Sequence, residues 1–138
     1  QYDKYYFDKR RKAKLFPGAI NFLKKISKKH ILTIASSGKQ ENIESLLSKN
    51  QIKGLFDLIL ANSANSKEGM MSDILGKFDA KPEETAMITD TVGDLKVAKS
   101  MGLKTIAVTW GFHSEKTLES AKPDYLVRSF DKTLGILI

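Results

Sequence analysis

Asp90 and Asp94 stand four residues apart, directly after the apolar, β-branched run Thr85-Ala86-Met87-Ile88-Thr89. Like charges at that spacing on a helix repel by roughly 0.2–0.5 kcal/mol, and a divalent cation would remove the repulsion. Magnesium suits such a pair, because it takes one or two carboxylates together with water and substrate phosphate. The bland alternative is a pair of acids at a helix start, favoured by the helix dipole. Ser36 and Ser37 follow a second apolar run, Ile31-Leu32-Thr33-Ile34-Ala35. A hydroxyl there, helped by amides at a helix start, can donate to a phosphate oxygen. Ser36 can equally end the strand and cap the next helix. Lys67 falls in the first turn of a helix, where a positive charge costs roughly 0.3–1 kcal/mol against the dipole. A cation kept at that cost suits an anionic substrate and a nucleophilic carboxylate, unless it is merely solvated and offset by Glu68.

Composition narrows the chemistry further. The 138 residues suit one domain, and 41% hydrophobic with 28% charged residues is the balance of a soluble globular chain. With no cysteine, disulfides and thiolate metal sites are excluded, and with only His30 and His113 a multi-histidine site is disfavoured. Any metal is then a hard, oxygen-bound one. No apolar run approaches the roughly 20 residues that span a membrane, and no secretory signal is evident. A membrane partner is therefore not expected, and the location expected is cytoplasmic. The net charge is +7, of which +4 comes from residues 1–14, where six Lys and Arg side chains face Asp3 and Asp8. With Tyr2, Tyr5, Tyr6 and Phe7 interleaved, that segment could touch nucleic acid. A solvated helix with one aromatic face is the preferred reading, and nucleic acid is not an expected partner. His113, in Trp110-Gly111-Phe112-His113, could contact a substrate but reads as structural; His30 reads as surface. Asp57 and Asp79 are lone acids without an assigned role.

These residues need elements to position them. Pro17-Gly18 punctuates the chain ahead of a helix with Ile20, Phe22, Leu23 and Ile26 inward and Lys24, Lys25, Lys28 and Lys29 outward. Strands are expected at 31–35, 56–60, 85–89 and 104–110, with a short edge strand at 125–127 and a last short helix or tail. Helices lie between them: one with Ile43, Leu46 and Leu47 inward, one capped by Ser66 and running to about Lys77, and one carrying Leu95, Val97, Ala98 and Met101 and stopped by Gly102. Such alternation implies an α/β fold, a Rossmann-like doubly wound and mainly parallel sheet. Ligands of such sheets sit beyond the C-terminal strand ends. Ser36, Asn62 with Lys67, and Asp90 with Asp94 occupy three of those ends.

Taken in order, these segments resemble the haloacid dehalogenase-like hydrolases, especially the phosphoglycolate-phosphatase-like branch, from about Leu15 to Leu137. Leu15-Phe16-Pro17-Gly18 looks like the family's return to the core after its helical cap. Ile34-Ala35-Ser36 resembles the second motif, Ser66-Lys67-Glu68-Gly69 the third, and Ile88-Thr89-Asp90-Thr91-Val92-Gly93-Asp94 the acidic fourth. Ala107-Val108-Thr109-Trp110-Gly111 and Lys122-Pro123-Asp124-Tyr125-Leu126-Val127 match the closing segments. The resemblance implies that residues 1–16 are a residual cap helix or linker and 17–138 the α/β core. It implies Ser36, with Ser37, as phosphate-binding, Lys67 as the neutralising catalytic cation, Asp90 as a Mg2+ ligand, and Asp94 as support of the metal shell through water. It also implies a Mg2+-dependent hydrolase of phosphate monoesters, acting on a small phosphorylated substrate through an aspartyl-phosphate.

Two features depart from the family pattern. Thr89 stands where Gly is frequent. More consequentially, the first motif, a strand ending in Asp-x-Asp whose first Asp is the nucleophile, is absent; Asp3 and Asp8 lie in a basic aromatic stretch and are poor substitutes. In the family that strand lies centrally, between the strands ending in Ser36 and Asp90. The expectation is a sheet with a gap in its middle, a missing N-terminal segment of the same protein, and negligible activity for this chain alone. A non-catalytic phosphate- or protein-binding remnant of the fold is the alternative. A phospho-accepting receiver domain is disfavoured, because its acids precede its lysine in the chain, whereas here Ser, Lys and then the acids follow one another.

Overall fold

Short apolar runs flanked by turn residues become five parallel strands in the computed structural model, which describes residues 17–61 and 65–137. They are β1 (Thr33–Ser36), β2 (Leu58–Ala61), β3 (Ala86–Thr89), β4 (Lys104–Val108) and β5 (Tyr125–Val127). The helices are α1 (Ala19–Ile26), α2 (Gln40–Lys49), α3 (Lys67–Lys77), α4 (Val92–Ser100), α5 (Glu115–Ser120) and α6 (Phe130–Leu137). The expected cap helix over 1–16 and the strand-end residue Asn62 lie outside the described residues.

Among the described residues the strands form two sheets, β1–β2 and β3–β4–β5, and no strand joins β1 to β3. Each pairing is parallel, with Ser36 opposite Ala61, Thr89 opposite Ala107, and Val108 opposite Val127. The α/β class and the central gap both match the sequence reading. The two sheets nevertheless share their helical layers. Ile34 of β1, Ile88 of β3, and Ile106 and Val108 of β4 enter one cluster with Phe22, Leu23 and Ile26 of α1 and Ile43 and Leu47 of α2. Their neighbours Ala35 and Met87 enter another, against Met70, Met71 and Ile74 of α3 and Ala98 of α4. Strand side chains alternate faces, so both sheets present the same two faces and lie side by side. A cavity of about 530 Å³ is lined by Thr33 of β1, Ala86 of β3 and Ile106 of β4, by Leu32 just ahead of β1, and by Ile74 and Ile136 from the helices.

The terminal strand β2 is finished differently. The Gln40 carboxamide donates to Ile59 O at 3.1 Å and accepts from Ala61 N at 2.9 Å, the two bonds a neighbouring strand's peptide would make. A side chain thus occupies backbone groups that an exposed edge would leave open to another chain.

Several boundaries differ from the sequence reading. β1 starts at Thr33, not Ile31, whose side chain is 57% exposed. The preceding peptide is clamped instead: Leu32 N donates to Asp57 Oδ2 at 3.0 Å and Asp57 N donates to Leu32 O at 2.7 Å. Asp57, without a role on sequence grounds, thereby sets where β1 and β2 begin to pair. Pro17 lies in the turn ahead of α1; Gly18 is the N-cap, at φ 87°, a left-handed conformation that glycine adopts without penalty. β4 ends at Val108, and Trp110 leaves the strand to pack on Phe130 with ring centroids 4.5 Å apart. Helix α5 is absent from the sequence reading. Its six residues bury only Leu118, so no apolar period announces it; its start is marked by Ser114, which accepts from Thr117 N at 3.2 Å.

Candidate functional site

The C-terminal ends of β1 and β3, in separate sheets, come to the same edge of the molecule, where Lys67 reaches both Ala35 O and Asp94. Ser36, the last residue of β1, is buried, and its Oγ accepts from Gly38 N at 3.1 Å. The hydroxyl tightens the turn and does not cap α2, whose N-cap, Lys39, makes no side-chain cap bond. The helix-capping alternative for Ser36 is therefore corrected: the side chain bonds two residues ahead, too early to reach the helix. Ser37 is exposed and, with Gly38, Lys39 and Gln40, borders an open groove of about 730 Å³ beside Ala61.

Lys67 opens α3 behind Ser66, whose Oγ accepts from Gly69 N at 2.9 Å. The lysine is not a solvated surface cation. Its Nζ donates to Ala35 O at 2.7 Å and stands 3.5 Å from Asp94 Oδ1, and both side chains are only 17% exposed. The ammonium therefore spans the space between the end of β1 and the start of α4, and Asp94 balances the charge that opposes the helix dipole.

Asp90 and Asp94 do not share a helix. Asp90 ends the β3 turn, Thr91 is the N-cap of α4, and only Asp94 lies inside the helix, with its N–H donating to Thr91 Oγ1 at 3.3 Å. The repulsion argued from a one-turn spacing is accordingly corrected, since each carboxylate has its own donors. Asp90 is buried; its Oδ2 accepts from Phe112 N at 2.7 Å and its carbonyl from His113 N at 3.2 Å. Asp94 Oδ2 accepts from Thr89 Oγ1 at 2.7 Å. Charge-assisted bonds of this kind are roughly twice as strong as neutral ones.

His113 is structural, in line with the sequence reading. Val92 N, an unpaired donor of the first turn of α4, donates to His113 Nδ1 at 3.0 Å. That bond assigns the neutral ring's proton to Nε2. Phe112, on the peptide that holds Asp90, projects outward at 81% exposure and lies against the His113 ring. Gly111 permits this arrangement, because a Cβ there would overlap the Asp90 carboxylate.

Ser36, Lys67, Asp90 and Asp94 thus gather at one sheet edge, linked through Ala35 and Thr89. Gly111, Phe112 and Thr89 are additional participants that sequence reasoning passed over. Trp110-Gly111 was visible only as a closing segment, and Thr89 only as a replacement for glycine. Among the described residues no group of three or more His, Asp or Glu converges. Two hard carboxylates are nonetheless the donor set that magnesium uses, with water and phosphate completing its shell, so Asp90 and Asp94 fit that ion in kind. Among the described residues, no helix is long and apolar enough to cross a membrane.

A family model described as haloacid dehalogenase-like hydrolase matches residues 1–108. The phosphoglycolate phosphatase of Synechococcus elongatus is 31% identical over 117 residues, covering 83% of this chain and 55% of that protein. The pyrophosphatase PpaX of Bacillus mycoides is 29% identical over 108 residues, 75% of this chain and 50% of that protein. The solved structure of a haloacid dehalogenase-like family hydrolase from Streptococcus pneumoniae superposes with a TM-score of 0.84 at 26% identity, covering 91% of this chain and 61% of that one. The chain spans about half the length of the curated relatives it matches.

Proposed function

This chain belongs to the haloacid dehalogenase-like hydrolases, in the phosphoglycolate-phosphatase-like branch, and from that premise we propose that the complete protein is a Mg2+-dependent hydrolase of small phosphate monoesters. The observation that carries the reading is the Lys67 ammonium, held between Ala35 O of β1 and Asp94 after β3, across the gap between the sheets. A parallel strand seated in that gap would end at this ammonium. A carboxylate on its last residue would have a cation to hold it and to neutralise a phosphoryl group.

In this reading that carboxylate attacks phosphorus, the ester P–O bond breaks, and a second acid of the same strand gives the leaving alcohol its proton. Water, giving a proton back to that second acid, then attacks phosphorus of the aspartyl-phosphate, the aspartyl O–P bond breaks, and phosphate leaves with the carboxylate restored. Lys67 neutralises the equatorial oxygens, and Ser36, with Ser37, donates hydroxyl bonds to them. Asp90 would hold Mg2+ directly and Asp94 through water; the ion, when bound, stabilises charge developing on the transferred group. The described core holds no such nucleophile, and Asp3 and Asp8 lie in a basic aromatic stretch, so this chain alone is expected to turn over negligibly. We also propose a cytoplasmic location.

The test is phosphate release from a panel of phosphate monoesters by the complete protein, with Mg2+ and with chelator. Lys67→Ala and Asp90→Ala are each expected to lower kcat about 100-fold or more. Chelator-resistant turnover, or Asp90→Ala at wild-type rate, would refute the metal role. Phosphate binding without turnover would favour the second reading, a binding remnant of the fold.

A further inference from the structure

We propose that Thr89 is a positioning residue, whose hydroxyl sets the Asp94 carboxylate and, through it, the Lys67 ammonium across the gap between the two sheets. The inference rests on the roles proposed above for Asp94 and Lys67. Thr89 is the last residue of β3 and is fully buried. Its Oγ1 accepts from Thr91 N at 3.3 Å and donates to the Asp94 Oδ2 carboxylate oxygen at 2.7 Å, a much shorter approach than the 3.5 Å to the Thr91 hydroxyl. The other carboxylate oxygen faces Lys67 at 3.5 Å, and Lys67 in turn donates to Ala35 O at 2.7 Å. Groups from β3, α4, α3 and β1 thereby form a single polar chain, and linked hydrogen bonds of this kind reinforce one another.

A glycine before the first acid would leave Asp94 to be oriented by whatever ion or ammonium arrived. Threonine supplies the donor from a rigid strand, on a side chain restricted at χ1, so the carboxylate is placed before any ligand binds. Oxygen-bound ligand shells depend on such supporting bonds, and their loss typically weakens metal binding about 10- to 100-fold.

The experiment uses the complete protein and four variants, Thr89→Val, Thr89→Ser, Asp94→Ala and the Val/Ala double. In the metal-free protein, chemical denaturation should give non-additive losses, with Thr89→Val costing little once Asp94 is already Ala and the hydroxyl has no acceptor left. Calorimetric titration with Mg2+ should show about 10- to 100-fold weaker binding in Thr89→Val and most of the affinity restored in Thr89→Ser. Additive losses, or a serine variant no better than valine, would overturn the proposal. Should valine prevent folding, Thr89→Ser against Thr89→Ala, which differ only in the hydroxyl, makes the same comparison. A wild-type protein that takes up no Mg2+ sinks the metal reading of Asp90 and Asp94 instead, and the metal-free cycle still decides whether Thr89 holds Asp94.

Discussion

Replacing Gly111 with alanine puts a methyl group where the Asp90 carboxylate already sits. Built on the existing backbone, the new Cβ would stand 2.5 Å from Asp90 Cγ, against 3.4–4 Å for ordinary contact. Neither partner has slack: Asp90 is buried, and the peptide after Gly111 is tied to it by the Phe112 N–H. Relief requires the carboxylate to move by about 1 Å, and a displacement of that size costs on the order of 100-fold in rate when the group positions reactants. The overpacking itself should cost about 1–3 kcal/mol of stability. Gly93 supplies the control within the same acidic segment. A Cβ there meets nothing within 4 Å and the residue lies inside α4, so Gly93→Ala should stabilise by about 0.5–1 kcal/mol. The assay is steady-state phosphate release by both variants of the complete protein, with Tm measured on the same samples. The reasoning fails if Gly111→Ala keeps wild-type kcat. It fails equally if that variant loses stability while its folded fraction turns over normally, since the position of Asp90 would then be immaterial.

Asp57→Ala strips the buried Leu32 N–H of its acceptor and should cost about 1.5–3 kcal/mol in chemical denaturation; Asp57→Asn, which keeps an acceptor, should cost much less, and equal losses would count against the clamp. Arg128 grips Glu115 through two bonds of 2.8 and 2.6 Å, and the bond with Arg128 holds the Glu115 carboxyl below its ordinary range. A depressed carboxyl contributes stability above its unfolded value of about 4.3 and loses it as pH falls through the folded value. Glu115→Gln should therefore lower stability slightly at neutral pH and not at all in strong acid; a larger effect in acid than at neutrality would contradict the assignment. The pair is exposed, so the neutral-pH effect should be small.

Local chemistry made much of this protein legible in its sequence. Runs such as Ile31–Ala35 and Thr85–Thr89 announce strands to within two residues, because β-branched apolar clusters bounded by polar turns have few other uses. Ser66 announces α3, and Gly102, at φ 81°, the end of α4, because caps act within one turn of themselves. The order of Ser36, Lys67, Asp90 and Asp94 along alternating elements also sufficed to place them at one sheet edge, since parallel strands all end on the same side. Tertiary structure alone decided which groups those residues meet. Asp57 is a lone acid in sequence and a backbone clamp in space, 25 residues from Leu32. His113 serves Val92 from 21 residues away, and Gly111 is needed because it closes on Asp90 across a similar distance. Propensity and periodicity reflect interactions within a few residues of chain, whereas a hydrogen-bond partner or a steric limit depends on where the packed layers bring distant backbone together.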